Sequence, residues 1–233
     1  DHVSGGTATD GGSGTGGTAQ LISTSGGTGQ LTSSNVLILA GGAGGAGGTS
    51  SGGSNGNGGD GAGGAASTNL ADGAFTLGPV ILGADGDGGN GVIGGRGTGG
   101  SANFKLADSS GPTGARTLGS LSIYANGIGG ASSGTGGTGA SDAGSTGLDV
   151  EAFDTASGLG ITGDFLADAK GANAPAGQGF TALIGGAPLL VGGNTTITTS
   201  RDALMSGTRR FNTTGDLTIT ARSLSASAPL VAG

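Results

Sequence analysis

Between Gly86 and Gly100 the chain reads GDGGNGVIGGRGTGG, with Gly88, Gly91, Gly94, Gly97 and Gly100 at every third position. Glycine has no Cβ, so another backbone can come into direct contact with it. At a spacing of three it leaves one side of an extended threefold helix bare. Apolar, strand-like segments stand on either side: Pro79-Val80-Ile81-Leu82 before the tract and Ala102-Asn103-Phe104-Lys105-Leu106 after it. Similar registers occur at Gly5, Gly11, Gly14 and Gly17, at Gly41 to Gly59 and at Gly127 to Gly139, and a degenerate one at Gly171 to Gly179 contains Pro175.

Glycines make up 61 of the 233 residues, and only 10% of residues are charged. Such a chain has little side-chain volume for a conventional core, because glycine gives up the most conformational entropy on folding and buries nothing. Its many Val, Ile and Thr residues and its low charge do not suit a disordered chain either. Fifteen residues in a polyproline-II-type helix span roughly 46 Å, whereas a six-residue strand spans about 20 Å. A glycine tract therefore runs out and back, or forms a layer of its own beside the strands. The competing reading is a flexible Gly/Ser linker. Collagen does not fit, since the glycine register breaks and the chain has 5 prolines.

Leu77-Gly78, Leu118-Gly119 and Leu159-Gly160 recur 41 residues apart, and Ala40 and Ala84 are 44 apart. Near Leu183 glycine thins, and Gly193-Asn194-Thr195-Thr196-Ile197-Thr198 is followed 22 residues later by Gly215-Asp216-Leu217-Thr218-Ile219-Thr220. Fixed periods of this size mark stacked supersecondary units. The sequence thus predicts an all-β fold, a repetitive β-solenoid or β-rich rod with its period-three glycine stretches forming polyglycine II helices. Residues 1–182 would be a glycine-rich repeat region of strand, turn, strand and polyglycine, and residues 183–233 would be β-helix-like coils. Among the expected strands are Asn35 to Ala40 and Leu148 to Phe153, with a turn at Gly26 to Gly29.

The string GDLTITARSLSA, Gly215 to Ala226, and its partner GNTTITTSRDAL, Gly193 to Leu204, resemble the coils of filamentous-haemagglutinin-like bacterial exoproteins and autotransporter passengers. The resemblance covers roughly residues 188 to 233. It implies a secreted β-helix with adhesive or matrix roles, and it carries over no functional residue. The glycine stretches are similar to mycobacterial PGRS-type segments and to glycine-rich insect antifreeze proteins, both associated with polyglycine II helices. Asp1 in place of Met suggests a processed product or a segment of something longer.

With no cysteine there is no disulfide framework and no thiolate metal site. The net charge is −7 and the 8 Lys and Arg residues are scattered, apart from Arg209-Arg210, which argues against nucleic acid as a partner. No apolar run reaches the roughly 18 residues of a membrane span. Asp85, Asp87 and Asn90 sit in Asp85-Gly86-Asp87-Gly88-Gly89-Asn90-Gly91, which loosely matches a calcium-binding nonapeptide, and oxygen ligands at alternate positions can reach a hard cation. They form a calcium option, set against the turn-forming role of Asp and Asn. The same tract meets G-x-G-x-x-G by chance, and no phosphate site is read there. Thr195, Thr196, Thr198 and Thr199, with Thr218 and Thr220, are candidates for a flat threonine face that could bind ice or a glycan. Asp149 and Glu151 share a strand face and imitate a glycosidase pair without an aromatic platform. His2 is the only histidine, so neither a His-based triad nor a zinc site is expected. No catalytic residue and no cofactor are assigned, and the chain is not read as an enzyme. The expectation is an extracellular or cell-surface protein, bacterial in character, that self-associates into a homopolymer or fibre, with surface glycans as candidate partners. The alternative is an ice- or glycan-binding module.

Overall fold

The structure, a computed structural model, describes residues 8–23, 30–49, 55–71, 73–107, 114–134, 139–151, 158–172, 176–186 and 188–233. The Gly26 to Gly29 turn, Pro175 and His2 lie outside the described residues, as do residues 152–157, which include the end of the expected Leu148 to Phe153 strand. Among the described residues every regular element is a strand and every strand pairing is parallel.

The strands assort into four sheets. A seven-stranded sheet takes Thr18–Ser23, Ala65–Leu70, Ser101–Ala107, Ser145–Glu151, Gln178–Ile184, Asp202–Gly207 and Ser223–Ala226 in that order. An eleven-stranded sheet is built around two long strands, Ala74–Gly83 and Arg116–Tyr124, which pair along their length. On one side Ala74–Gly83 meets two short strands, Gln30–Ser33 and Val36–Leu39. Arg116–Tyr124 likewise meets Leu159–Ile161 and Phe165–Ala169. From there two ladders continue side by side: Leu189–Val191, Phe211–Thr213 and Leu230–Ala232 in one, Thr195–Thr199 and Leu217–Thr220 in the other.

The remaining two sheets lie in the glycine tracts. Gly14–Thr15, Gly61–Ala62, Gly97–Thr98 and Ser141–Asp142 form a four-stranded sheet, and Gly42–Ala43, Gly86–Asp87 and Gly127–Ile128 a three-stranded one. The expected uniform solenoid rod with polyglycine II helices is therefore corrected. The described residues form four parallel sheets, and the largest contains an eight-strand path that doubles back at Arg116–Tyr124. Two local causes separate it from the expectation. Residues 74–83 continue as one strand through Gly78-Pro79, where the later segments break at Thr162-Gly163 and Gly192-Gly193. The glycine tracts meet their equivalents as short parallel ladders, Gly42 opposite Gly86 and Gly86 opposite Gly127.

Hydrogen bonds across the tracts follow the period of three. The Gly44 and Gly47 amides donate to the carbonyls of Asp87 and Asn90, one tract further along. Gly45 and Gly48 donate instead to the Gly12 and Thr9 carbonyls, on a run of opposite direction. One series of such bonds crosses the whole glycine slab: Gly45 donates to Gly12, Gly59 to Gly45, Gly89 to Gly59, Gly95 to Gly89, Gly130 to Gly95 and Gly139 to Gly130. Side chains are excluded by this packing. A Cβ on Gly89 would overlap the Gly45 carbonyl, and one on Gly95 the Gly59 carbonyl.

The apolar core lies between the seven- and eleven-stranded sheets, where inward residues stack in columns. One column runs Leu21, Thr68, Phe104, Leu148, Ala182, Met205 and Ala226. Another runs Val36, Val80, Leu121, Phe165, Thr195 and Leu217. The middle of each column is buried, whereas Leu21, Val36 and Leu217 are only half-buried, because each has a neighbouring strand on one side alone. Strand alternation places every second side chain in these columns.

Candidate functional site

Asp85, Asp87 and Asn90 stand close together along one glycine tract. The half-buried Asp85 uses Oδ1 to accept the Asn126 amide at 2.6 Å, and the exposed Asn90 uses Oδ1 to accept the Ala131 amide at 2.8 Å. Asp87 lies on the short strand Gly86–Asp87 and is exposed. Burial raises the Asp85 carboxyl above its ordinary value, opposed by the hydrogen bond from the Asn126 amide and reinforced by the charge of Asp87. Among the described residues no group of three or more His, Cys, Asp or Glu is arranged to hold a metal ion.

The bonds of Asp85 and Asn90 belong to a wider device that residue-by-residue reading of the sequence missed. At least eight Asx side chains accept a backbone amide from the neighbouring parallel segment: Asp10 from Asn57, Asn57 from Ile93, Asp60 from Arg96, Asp85 from Asn126, Asn90 from Ala131, Asn126 from Lys170, Asp164 from Asn194 and Asn194 from Asp216. Several are consecutive, so an Asx that accepts from one segment donates its own amide to another Asx. The signal was present in the sequence as Asp or Asn one repeat apart, with Asp85 and Asn126 separated by 41 residues and Asn194 and Asp216 by 22. A carboxylate or amide oxygen here satisfies a backbone donor where strand pairing is interrupted.

The threonine candidates divide by strand alternation. Thr196 pairs with Thr218 and Thr198 with Thr220, and their side chains face outward. Thr195 and Thr199 face the core instead, at 0% and 3% exposure. The Thr195 hydroxyl is buried with no hydrogen-bond partner. Beside the outward pair, where the glycine slab ends, a groove of about 630 Å³ is lined by Asn126, Ser141, Asp168, Lys170, Thr198 and Thr220. On its rim the Lys170 ammonium and the Asp168 carboxylate pair at 2.8 Å.

Asp149 forms an ion pair with Lys105 on the adjacent strand at 3.2 Å; the side chain of Glu151 lies outside the described residues. Arg209 and Arg210 are exposed, and His2 is not described. Asp142 is buried against Arg96, with which it forms a short ion pair. Among the described residues no helix is long and apolar enough to cross a membrane.

The outer edges of the two main sheets are the other exposed feature. Among the described residues, Thr18–Ser23, Gln30–Ser33 and Val36–Leu39 on one side have a partner strand on a single edge. On the other, the same is true of Leu217–Thr220, Ser223–Ala226 and Leu230–Ala232. Leu224 is 49% exposed there, and Leu31 is 37% exposed at the opposite edge. No known protein family, curated protein or solved structure matches this chain.

Proposed function

We propose that the chain is a non-catalytic extracellular protein, structural or adhesive, that forms or decorates a surface fibre, filament or matrix. The observation that carries the reading is the stack of parallel strands whose inward residues form continuous columns beside a glycine slab held together by backbone hydrogen bonds. The exoprotein-like strings in Gly193 to Leu204 and Gly215 to Ala226 support the same role. Sedimentation velocity and electron microscopy of the purified chain test it. Concentration-dependent assembly into fibres is the expected result, and single copies without fibres at high concentration would overturn it.

A second reading rests on the outward register of Thr196 with Thr218 and Thr198 with Thr220. Such a face presents methyl and hydroxyl groups at the roughly 4.8 Å strand spacing, suited to ice or to a glycan. Thermal hysteresis or glycan binding abolished by Thr198→Arg and Thr220→Arg supports it. A signal that persists in both variants rules it out.

A further inference from the structure

We infer that Asn57, Asn90 and Asn126 are latent deamidation sites, closed while the chain is folded and opened only when the neighbouring segment lets go. Each is followed by glycine. The reaction meets least resistance in that dipeptide, because glycine has no side chain to shield its own nitrogen. The glycine nitrogen attacks the Asn Cγ and a C–N bond forms. The glycine amide proton reaches the departing NH2 group through solvent, and ammonia leaves. Water then opens the five-membered imide on one side or the other, giving aspartate or isoaspartate.

In the folded chain both reacting groups are held by a single residue of the neighbouring segment. Asn90 Oδ1 accepts the Ala131 amide at 2.8 Å, and the Gly91 amide donates to the Ala131 carbonyl at 3.1 Å. Asn126 and Gly127 grip Lys170 in the same way, at 2.8 and 2.9 Å. Asn57 and Gly58 grip Ile93 at 3.3 and 2.9 Å. To close the imide ring, the glycine nitrogen must give up its proton and turn toward Cγ, which breaks the second bond of each pair. The side chain must also swing back toward its own backbone, which breaks the first. Asp10-Gly11, Asp60-Gly61 and Asp85-Gly86 are clamped alike, on Asn57, Arg96 and Asn126.

The slab itself selects this dipeptide. The carbonyl preceding each clamped Asn is turned to another run: Gly56 accepts the Val92 amide, Gly89 that of Gly95 and Ala125 that of Gly144. A side-chain oxygen takes the place of that carbonyl toward the parallel neighbour. Glycine must follow, because a Cβ on Gly58, Gly91 or Gly127 would overlap the backbone of an adjacent run. The packing that calls for a reactive pair is thus the packing that disarms it. The two products differ in consequence. Aspartate already fills this place at Asp85, one rung before Asn126, whereas isoaspartate adds a backbone atom and breaks the register.

Peptide mass spectrometry after mildly alkaline incubation reads the reaction site by site. In denaturing urea Asn57, Asn90 and Asn126 should convert together, at the rate of an unstructured Asn-Gly peptide. In the folded chain each should be at least about 10-fold slower, since only the locally opened fraction reacts. Equal rates in the two conditions overturn the inference. Ala131→Pro removes the amide that Asn90 accepts and keeps the carbonyl that Gly91 uses. Asn90 alone should then speed up, with Asn57 and Asn126 unchanged. An Asn90 that stays slow in the folded variant shows that the clamp is not what protects it, and also overturns the inference. If the substitution unfolds the slab, all three rates rise together, and amide hydrogen exchange of the unsubstituted chain decides. The sites should then rank alike in Gly58, Gly91 and Gly127 protection and in slowness of deamidation; a well-protected glycine beside a fast Asn refutes the clamp.

Discussion

The Asp164 carboxylate accepts the backbone amide of Asn194 at 2.7 Å, 30 residues further along the chain. Asn194 repeats the gesture toward the Asp216 amide at 3.0 Å. The two bonds lie where the strands around Gly163 and Gly193 break, and they hold neighbouring segments in register without a regular ladder. Asn194→Ala is expected to destabilise the fold by about 0.5–1.5 kcal/mol, the net worth of one hydrogen bond. Asn194→Asp keeps the acceptor but sets a third carboxylate beside Asp164 and Asp216. Its loss should shrink as the pH is lowered into the carboxylate range, roughly pH 4. Urea unfolding of both variants at two pH values checks this.

Asp85 gives a pH dependence of definite sign. Its carboxyl is raised above 3.8, first by burial, so the folded protein holds this proton more tightly than the unfolded chain. The stability it contributes is full below 3.8 and is lost as pH rises through the folded value. Asp85→Asn retains an oxygen for the Asn126 amide and removes the buried charge. The variant should be more stable than the unsubstituted chain at neutral pH, and the advantage should vanish below 3.8, as read from urea midpoints.

Within the glycine slab, tolerance of a methyl group should follow the space available. Gly89→Ala drives a Cβ into the Gly45 carbonyl, and a loss of about 1–3 kcal/mol is expected from the overpacking. At Gly12 and Gly17 a Cβ meets nothing within 4 Å. Alanine there should be neutral, or stabilising by about 0.4–1 kcal/mol through the unfolded chain. Thermal melts of the single variants separate the two classes.

Thr195 is fully buried, and its hydroxyl has no partner. Replacing it with the isosteric valine removes an unsatisfied polar group and should stabilise the protein by about 1–3 kcal/mol. A Thr195→Val variant that melts at or below the unsubstituted temperature would show that the hydroxyl is satisfied in solution.

Phe165 packs against Phe180 and Phe211, with ring centroids 6.3 Å and 6.2 Å away. These rings fill the core where the glycine slab has ended. Phe165→Ala should cost about 3–5 kcal/mol, measured by denaturant unfolding, with a larger effect than truncation of the half-buried Leu217.

Much of the strand content was legible because β-branched runs such as Val80 to Leu82 sit between glycine-rich turns. The sheet organisation was less so. Gly78-Pro79 reads as a turn, yet the chain crosses it as one strand, with Leu77 and Pro79 paired to Leu118 and Ser120 of the long neighbouring strand. The threonines of Thr195 to Thr199 look alike in sequence, but strand alternation sends Thr195 and Thr199 inward and Thr196 and Thr198 outward. The Asx bonds escaped notice because each joins a side chain to a backbone amide in another segment, where only the recurrence of Asp or Asn one repeat apart betrays it. Asp85 and Asn90 read as cation ligands in the sequence because they are oxygen acceptors, and in the structure the same chemistry serves an amide hydrogen.

The period of three in the slab has a genetic consequence. Gly45 bonds to Gly12 and Gly48 to Thr9, so one step of three outward on one run is answered by three on the returning run. Because these runs also bond to the runs at Gly59 and at Asp87 to Asn90, only a Gly-x-x triplet inserted or deleted on every run would leave the pattern of contacts intact. A single slippage event in the coding repeat lengthens one run alone and puts it out of register with its neighbours, so the reach of the slab changes only when all its runs change together.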